Sequence, residues 1–286
     1  MARLVGPNTA PAYSNELLKY DLTTNTWTNL ITTNTPTARC GAAFFLSGGY
    51  AYLLFGYGDL LGVPTHIDTL HRLDFTTLTW TLLTTIADTT TAGRPSNKPV
   101  ARQKFASVVR GNLLYIFGGM ADAPLYDVND IWTLNLTTFQ WTYITSNAVM
   151  EKSDFDIAVI GNIAYMFGGE RNFELIESKV TFNFTTNAVA ELPGGQYSNL
   201  SPSALATLIA NNPSAKTTLQ QRPGMVKSSR SFTLGNGGYA NEVPKFFMLG
   251  GYVANLVMQS KVGLFAYNVT GDTWTRLTDV ALPFTK

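Results

Sequence analysis

A short sequence frame recurs five times along this chain of 286 residues. Each copy consists of Asp or Asn, an apolar residue and Thr, and the position six residues after the first is Trp in four copies and Val189 in the other. The copies begin at Asp21, Asp74, Asn135, Asn183 and Asn268. Repetition at roughly 40 to 60 residues, with strand-turn-strand patterning in each unit, is typical of propellers and repeat arrays. Function is therefore expected on the loops and surfaces of the repeats.

Composition and charge exclude several functional classes. Hydrophobic residues make up 45% of the chain, and no run of them is long enough to span a bilayer. The net charge of +1 gives no field that would favour nucleic acid or an anionic membrane as a partner. Charged residues reach only 14%, and Thr and Asn supply much of the surface polarity. This balance favours an extracellular or cell-surface location over a cytoplasmic one.

The single cysteine, Cys40, excludes an intrachain disulfide framework. It follows Arg39, whose charge would lower the thiol pKa and make Cys40 reactive. The alternative, which we favour, is a small apolar residue buried at the start of a strand. Residues 1–7 contain no apolar segment of signal-peptide length, so the chain is either intracellular or already processed.

Each frame lies inside a unit of four predicted strands, and the unit around Asn135 shows this best. Its strands are predicted at 104–109, 113–119, 130–136 and 141–144, and a Gly111-Asn112 hairpin turn joins the first two. Apolar and polar residues alternate along the later strands, as in a half-buried sheet. The pattern predicts a four-stranded antiparallel sheet.

The same order of strands recurs along the chain, which we predict to be one domain over residues 1–286. The predicted units are a partial one at 1–31 and complete ones at 38–84, 101–145, 152–192 and 227–278. An insertion at 193–226 interrupts the period, and its segment 201–210 has the Ser, Pro and helix-forming residues of one short helix. The insertion either covers a sheet edge or carries binding residues.

Three strands end in an aromatic or apolar residue and two glycines, namely Phe117-Gly118-Gly119, Phe167-Gly168-Gly169 and Leu249-Gly250-Gly251. Tyr20-Asp21 is followed by Trp27, six residues after the Asp, whereas Phe55-Gly56-Tyr57-Gly58 departs from the diglycine. These residues resemble the motif of the kelch family, including its galactose oxidase branch. The resemblance implies an all-β fold, a kelch-type β-propeller of four-stranded antiparallel blades. We expect four complete blades, one partial blade and one short helical insertion.

The partial first unit predicts that the propeller is completed by something else. Strands are predicted at 17–22 and 27–30, but only residues 2–6 remain where a second strand would lie. Unpaired strand edges are a liability that closed rings remove. We therefore expect further chain segments or another subunit to complete the ring.

Candidates for catalysis and metal binding are few. The only two histidines, His66 and His71, flank Asp68 in the stretch that joins two strands of one unit, and we predict solvated loop residues rather than metal ligands. Galactose oxidase-like propellers bind copper through two Tyr, two His and a Tyr-Cys crosslink, which this chain cannot supply. We predict no catalytic residue, no metal and no cofactor.

A basic residue recurs just before the first strand of each complete unit, which suggests a ring of equivalent positions. These residues are Arg39, Arg102, Arg230 and Lys152. Kelch propellers that bind acidic motifs place arginines near such positions, and guanidinium groups suit carboxylates. One hypothesis is a recognition face made of Arg39, Arg102 and Arg230 with the loop residues Tyr57, Asp59 and Tyr126. The other is that these arginines donate to carbonyls of neighbouring blades and maintain the fold.

Four Asn residues also match the acceptor motif for N-glycosylation: Asn135, Asn183, Asn268 and Asn199. Asp21 and Asp74 occupy the same position in two repeats, so turn geometry alone accounts for Asn or Asp there. Glycans are expected at these sites only if a eukaryotic cell secretes the protein.

Two functional classes remain. The first is a non-catalytic scaffold whose blade-connecting loops bind another protein or a glycan, or which is a structural subunit of a larger assembly. The alternative is a secreted propeller of galactose oxidase-like or lectin-like type whose catalytic or binding residues lie outside this chain. Neither class involves nucleic acid or membrane insertion, and the fold alone does not decide between them.

Overall fold

The strands of this chain form repeated antiparallel sheets. The computed structural model describes residues 13–192 and, after them, residues 207, 211, 226–227, 230–233, 245–249, 252–253, 264–268 and 273–278. The chain divides into two compact units, Met1–Ser146 and Asn147–Lys286. A 3-10 helix spans Ala148–Met150. No helix in the described part of the chain is long and apolar enough to cross a membrane.

The first unit begins with a two-stranded sheet, β1 (Leu17–Asp21) and β2 (Thr26–Leu30), which we call the partial blade. Blade 1 follows, with the strands β4 (Ala43–Ser47), β5 (Tyr50–Leu54), β8 (Leu70–Asp74) and β9 (Thr79–Leu83) paired in that order. A small three-stranded sheet lies beside it in the sequence, made of β3 (Arg39–Cys40), β6 (Tyr57–Leu60) and β7 (Val63–His66). Blade 2 contains β10 (Ala106–Arg110), β11 (Leu113–Phe117), β12 (Asp130–Asn135) and β13 (Trp141–Ser146).

The second unit contains two more four-stranded sheets. Blade 3 contains β14 (Asp156–Ile160), β15 (Ile163–Phe167), β18 (Lys179–Asn183) and β19 (Ala188–Glu191). Its second and third strands are joined through a short hairpin, β16 (Glu170–Arg171) and β17 (Glu174–Leu175). Blade 4 contains β21 (Arg230–Thr233), β22 (Lys245–Leu249), β24 (Leu264–Asn268) and β25 (Thr273–Thr278), and β20 (Val226–Lys227) pairs with β23 (Tyr252–Val253).

The predicted fold class is confirmed, since the described residues form four complete four-stranded antiparallel sheets and one partial sheet in kelch blade order. The predicted division into one domain stays a prediction. Most of the predicted helical insertion at 193–226 lies outside the described residues. Within the segment 201–211, only Thr207 and Asn211 are described, and both are exposed with helical backbone.

The repeated Asp or Asn closes the turn between the third and fourth strands of a blade. In four copies the side-chain Oδ1 accepts the backbone N–H groups two and three residues further on, at 2.7–3.3 Å. Those copies are Asp21, Asp74, Asn135 and Asn183. A left-handed residue follows in each turn, for example Phe139 at φ 56. Local turn chemistry therefore explains why Asp and Asn alternate at this position.

The Trp of the frame is a core residue in the complete blades of the first unit. Trp80 is 4% exposed and Trp141 is 1% exposed, whereas Trp27 of the partial blade is 67% exposed. Trp141 packs in a cluster that combines blade 1 residues such as Leu54 with blade 2 residues such as Trp132. The frame thus marks both a turn and the core position that follows it.

The segments between blades pair with the outer strand of the following blade, which the sequence did not reveal. Thr33 forms a parallel bridge with Thr79 on β9, and Ile86 forms the same bridge with Gln140 beside β13. Asp88 adds a second contact between the segment of Ile86 and β13, because its Oδ2 accepts the N–H of Tyr143 at 2.9 Å. These bridges join the partial blade to blade 1 and blade 1 to blade 2.

Asp88 also organises its own segment. Its Oδ1 accepts the N–H groups of Thr90 and Thr91 at 2.9 and 3.0 Å. Burial acts to raise the pKa of Asp88, but hydrogen bonds from Thr91, Tyr143 and Thr90 outweigh this effect and hold the pKa well below its usual range. A single ionised carboxylate thus holds the linker against β13.

Glycines at the end of the second strand allow the close approach of the first strand. A Cβ on Gly119 would lie 2.6 Å from the Cβ of Phe105, and one on Gly169 would lie 2.8 Å from that of Phe155. Blade 1 keeps the same backbone despite its different sequence, because Phe55 takes the left-handed φ of 57 that Gly118 takes at 52. The second glycine of the pair is therefore the steric requirement of the blade, and blade 1 keeps it as Gly56.

We expect the Asp88→Ala substitution to lower the free energy of unfolding by about 1–3 kcal/mol, because three N–H groups in partly buried hydrogen bonds lose their acceptor. Asp74→Ala is the matched control, since Asp74 accepts two N–H groups in an exposed turn. Urea unfolding of both variants measures the difference. Equal losses in the two variants would contradict a role for Asp88 in joining blades.

Candidate functional site

A buried cation occupies the same position at the start of three blades. It lies before the first strand and contacts the residue just before or at the start of the third strand. The two arginines also donate to a carbonyl at the end of the second strand. The three cations are Arg39, Arg102 and Lys152, which are 6%, 0% and 0% exposed. The residues before or at the start of the third strands are Thr69, Asp130 and Ser178. The three blades therefore show three ways in which the partners of a buried cation are arranged at the same position.

Arg102 of blade 2 has a complete set of partners. Its Nε donates to the carbonyl of Val100 and its Nη1 to the carbonyl of Gly118, both at 3.0 Å. Nη1 and Nη2 form a bidentate ion pair with Asp130. Asp130 in turn accepts the indole N–H of Trp132 at 2.7 Å. The charge is buried and fully neutralised, which is the condition under which a buried ion pair is tolerated.

Arg39 of blade 1 repeats these contacts without a carboxylate. Its Nε donates to the carbonyl of Thr37 at 3.0 Å, and its Nη1 donates to the carbonyl of Phe55 and the hydroxyl of Thr69, both at 2.9 Å. Its Nη2 is buried and has no hydrogen-bond partner among the described residues. Burial lowers the pKa of Arg39 to about 10.

Lys152 of blade 3 occupies the same position and has fewer partners. Its Nζ donates to the hydroxyl of Ser178 at 2.8 Å and lies 4.8 Å from the ring centroid of Phe155. Burial lowers the pKa of Lys152 to about 7; the charge of Arg171 acts in the same direction, and Glu191 opposes both. This cation can therefore lose its charge near neutral pH.

The structure shows the burial and the hydrogen-bond partners of two of the three predicted arginines. The side chains of Arg39 and Arg102 are buried and donate to carbonyls of their own blade, whereas the fold-maintaining hypothesis named carbonyls of a neighbouring blade. Arg230 begins β21, and its side chain lies outside the described part of the structure. The recognition hypothesis for these three residues stays a prediction.

The predicted loop residues lie in the segments that join the second and third strands of a blade, which we call the excursions. Tyr57 is half-buried and contacts His66 edge to face, with ring centroids 4.9 Å apart. Asp59 is exposed and closes the β6–β7 hairpin, because its Oδ1 accepts the N–H of Gly62 at 2.6 Å. Tyr126 is 46% exposed in the loop between β11 and β12.

The prediction of solvated loop histidines is wrong. The His66 side chain is 4% exposed, and its Nδ1 lies 2.8 Å from Asp122 Oδ1. His71 lies within β8 and is half-buried; burial, followed by the charge of Arg39, lowers its pKa to about 4. Both histidines belong to strands rather than to a solvated loop, because His66 ends β7 and His71 lies within β8. Through His66 and Asp122, the β6–β7 hairpin of blade 1 contacts the β11–β12 loop of blade 2.

Large apolar side chains are exposed on the same excursions. Leu60, Leu61 and Val63 at the β6–β7 tip are 48%, 97% and 61% exposed, and Leu125 beside Tyr126 is 55% exposed. Leu61 and Tyr126 take left-handed φ values of 56 and 43. We call these five residues the loop surface of the first unit. Sequence reasoning found only Tyr126 among them, although the Leu60-Leu61-Gly62 run between strands was a usable signal.

An equivalent excursion in the second unit has the same character. Phe173 lies at the β16–β17 tip, is 68% exposed and has a left-handed φ of 66. A left-handed backbone costs an ordinary residue roughly 1–2 kcal/mol, and most of the Phe173 ring is nevertheless exposed. Exposed apolar tips therefore recur at equivalent places in separate blades.

Among the residues that the structure describes, no three or more His, Cys, Asp or Glu side chains come together in a group that could hold a metal ion. Asp68 pairs with Lys98 at 2.6 Å. Cys40 is half-buried, and burial raises the pKa of its thiol more than the charge of Lys104 lowers it. This direction opposes the reactive-thiolate hypothesis and agrees with the apolar one.

The candidate glycosylation sites occupy different environments. Asn135 and Asn183 use their side-chain oxygens in turns, as the turn explanation requires. Asn268 ends β24, and Asn199 lies outside the described residues. Glycosylation at any of them stays a prediction.

We expect the stability of the protein to rise with pH between about 7 and about 10 because of Lys152. In the unfolded chain a lysine titrates near a pKa of about 10.4. Between the two pKa values the unfolded chain binds more protons than the folded one, so folding gains as pH rises; below pH 7 the buried charge costs its full penalty. Urea unfolding at pH 7 and pH 9.5 measures this gain, which we expect to be about 1–4 kcal/mol. The Lys152→Met variant should lack it, and an equal pH slope in both proteins would contradict the assignment.

Comparison with known proteins agrees with the blade structure. The sequence profile of the Kelch motif matches residues 101–147, which contain blade 2. Kelch domain-containing protein 3 of Rattus norvegicus is 30% identical over 137 residues, covering 47% of this chain and 33% of that protein. Kelch domain-containing protein 10 of Homo sapiens is 29% identical over 143 residues, covering 48% of this chain and 30% of that protein.

The chain thus spans about a third of the length of the curated relatives it matches. The motif match falls on the blade whose cation, ion pair and diglycine are the most complete. Together with the repeated four-stranded sheets, these similarities show that the chain contains a kelch motif and has the fold class of a kelch-type β-propeller.

Proposed function

We propose that this protein is a non-catalytic platform for protein–protein interaction, and that its loop surface binds the partner. The single observation that carries the proposal is the exposed apolar side chains at the tips of the excursions between second and third strands. Exposed apolar patches beside polar residues are typical of interaction sites. Kelch-domain proteins are generally interaction platforms, which supports a protein as the partner.

The chemistry of the loop surface favours a partner with an apolar segment. Leu61 is 97% exposed, and a side chain so placed gains its full transfer free energy only when a partner covers it. Asp59 and Asp122 lie near the leucines in the sequence and in the loops, and they add a polar rim. The buried Arg39 and Arg102 support this surface from below by fixing the ends of the second strands. A glycan partner has no comparable observation in its favour.

The β6–β7 hairpin and the β11–β12 loop are suited to act together. His66 Nδ1 lies 2.8 Å from Asp122 Oδ1, and this contact links the two excursions. Pre-organised loops bind with a smaller entropy cost than mobile ones. We therefore assign the binding surface to both excursions rather than to either one alone.

We expect the double substitution Leu61→Ser and Leu125→Ser to weaken partner binding at least about tenfold. Two leucines that a partner covers contribute more than about 1.4 kcal/mol to the free energy of binding. The measurement is quantitative affinity purification from the native source, followed by a binding titration with each purified partner. Both leucines are exposed, so the melting temperature of the variant should stay within about 1–2 °C of the wild type.

Leu82→Ser is the matched control, because Leu82 is 63% exposed on the outer strand β9, away from the excursions in the sequence. The control should bind as the wild type does. Equal loss in the control, or full retention by the double variant of every partner, would overturn the proposed surface.

A second proposal concerns the partial blade, which we infer is completed by two more β-strands from elsewhere in the protein or from another subunit. Trp27 is 67% exposed at the position where Trp80 and Trp141 are 4% and 1% exposed. Leu18 and Tyr20 on β1 are also exposed. In each complete blade a second strand pairs with the strand equivalent to β1, and an isolated two-stranded sheet is marginal in water.

Sedimentation equilibrium and hydrogen exchange together test this completion. If another subunit supplies the strands, the chain should self-associate or bind that subunit, and Trp27→Asp should reduce the association at least about tenfold. If the same polypeptide supplies them, the protein should be monomeric with slowly exchanging amides along both edges of β1. A monomer whose β1 amides exchange freely on the side away from β2 would overturn the proposal.

A further inference from the structure

Blade 1 lacks the negative charge that neutralises the buried arginine of blade 2. In blade 2, one oxygen of Asp130 accepts two N–H groups, from Arg102 Nη2 at 3.0 Å and from Trp132 Nε1 at 2.7 Å. A carboxylate oxygen thus lies between a guanidinium and an aromatic N–H. Both donors are buried, so each of them requires this acceptor.

The corresponding residues of blade 1 are Thr69 and His71. Thr69 precedes β8 as the counterpart of Asp130, because its carbonyl accepts the N–H of Phe55 just as that of Asp130 accepts the N–H of Gly118. His71 follows two residues later, as Trp132 follows Asp130. The Thr69 hydroxyl reaches Arg39 Nη1, but it is neutral and one atom shorter than a carboxylate.

The two donors that would flank the absent carboxylate are both left without partners. Arg39 Nη2 and His71 Nδ1 are buried, and neither has a hydrogen-bond partner among the residues that the structure describes. Arg39 Nη2 corresponds to Arg102 Nη2, and His71 Nδ1 belongs to the ring that takes the strand position of the Trp132 indole. Two unsatisfied polar atoms at equivalent places indicate one missing acceptor rather than two separate defects.

The electrostatics of blade 1 agree with a missing negative charge. Burial lowers the pKa of Arg39 to about 10, and burial together with the charge of Arg39 lowers the pKa of His71 to about 4. His71 is therefore neutral at pH 7, and its single ring proton can lie on Nδ1 and be donated. Arg39 stays charged at that pH, and a buried unpaired guanidinium is costly.

We propose that a small monovalent anion, carboxylate or halide, binds between Arg39 Nη2 and His71 Nδ1, where the Asp130 carboxylate lies in blade 2. Arg39 is 6% exposed, so only a small ion reaches the position. The anion accepts both N–H groups and neutralises the guanidinium. The site involves none of the five residues of the loop surface proposed above, so its test does not depend on that proposal.

Thermal unfolding in sodium formate tests the site. At constant ionic strength, replacing the bulky anion of a sulfonate buffer by formate should raise the Tm of the wild type by about 2–4 °C. The Thr69→Asp variant supplies the carboxylate from the chain itself. Its Tm in the sulfonate buffer should exceed that of the wild type by about 2–6 °C, and formate should no longer raise it.

Thr69→Val is the matched control, since valine has the shape of threonine and brings no charge. Its Tm should still rise with formate. Equal responses to formate in the wild type and Thr69→Asp would show that the effect lies elsewhere and would overturn the proposal.

A crystal soaked in sodium bromide provides a second measurement that does not depend on any variant folding. An anomalous peak within about 3.5 Å of both Arg39 Nη2 and His71 Nδ1 is the expected result. A water molecule alone at that position, without anomalous signal, would show that the site holds solvent and would overturn the proposal.

Discussion

A buried positive charge at the start of blade 1 and of blade 2 is the interaction on which the rest of the first unit depends. The second strand ends in residues with left-handed backbone, such as Phe55 and Gly118, so their carbonyls turn away from the sheet and need a donor. Arg39 and Arg102 supply it and also reach the start of the third strand. One side chain therefore fixes where the chain leaves the sheet and where it returns.

This constraint sets the positions of the excursions that carry the proposed function. The β6–β7 hairpin and the β11–β12 loop leave the sheet at points held by these cations, and the contact of His66 with Asp122 holds the two together. Exposed leucines at their tips contribute nothing to the core, so their side chains can vary with the partner at little cost to stability. The same framework tolerates Arg–Asp, Arg–Thr and Lys–Ser pairs, which differ in charge.

Much of the fold could be predicted from the sequence, whereas the candidate site could be predicted only in part. The strand order and the turn role of Asp74 or Asn135 follow from local patterns, and the structure confirms them. The equivalence of Arg39 and Arg102 was also visible, but their burial was not, because burial depends on what the second strand and the hairpin place over them. His66 and His71 were mistaken for loop residues for the same reason.

The sequence by itself determined the repeat, the turns and the blade class, because Asx turns, diglycines and alternating strands depend on residues a few positions apart. Tertiary structure decided which charges are neutralised and which apolar residues stay exposed. Asp130 meets Arg102 across 28 residues, whereas Thr69 leaves Arg39 without a carboxylate at the same place. Trp27 and Trp141 occupy one position of the frame, yet only Trp141 is covered. The physical reason is that burial and charge pairing depend on neighbours brought together by folding, which no local pattern encodes.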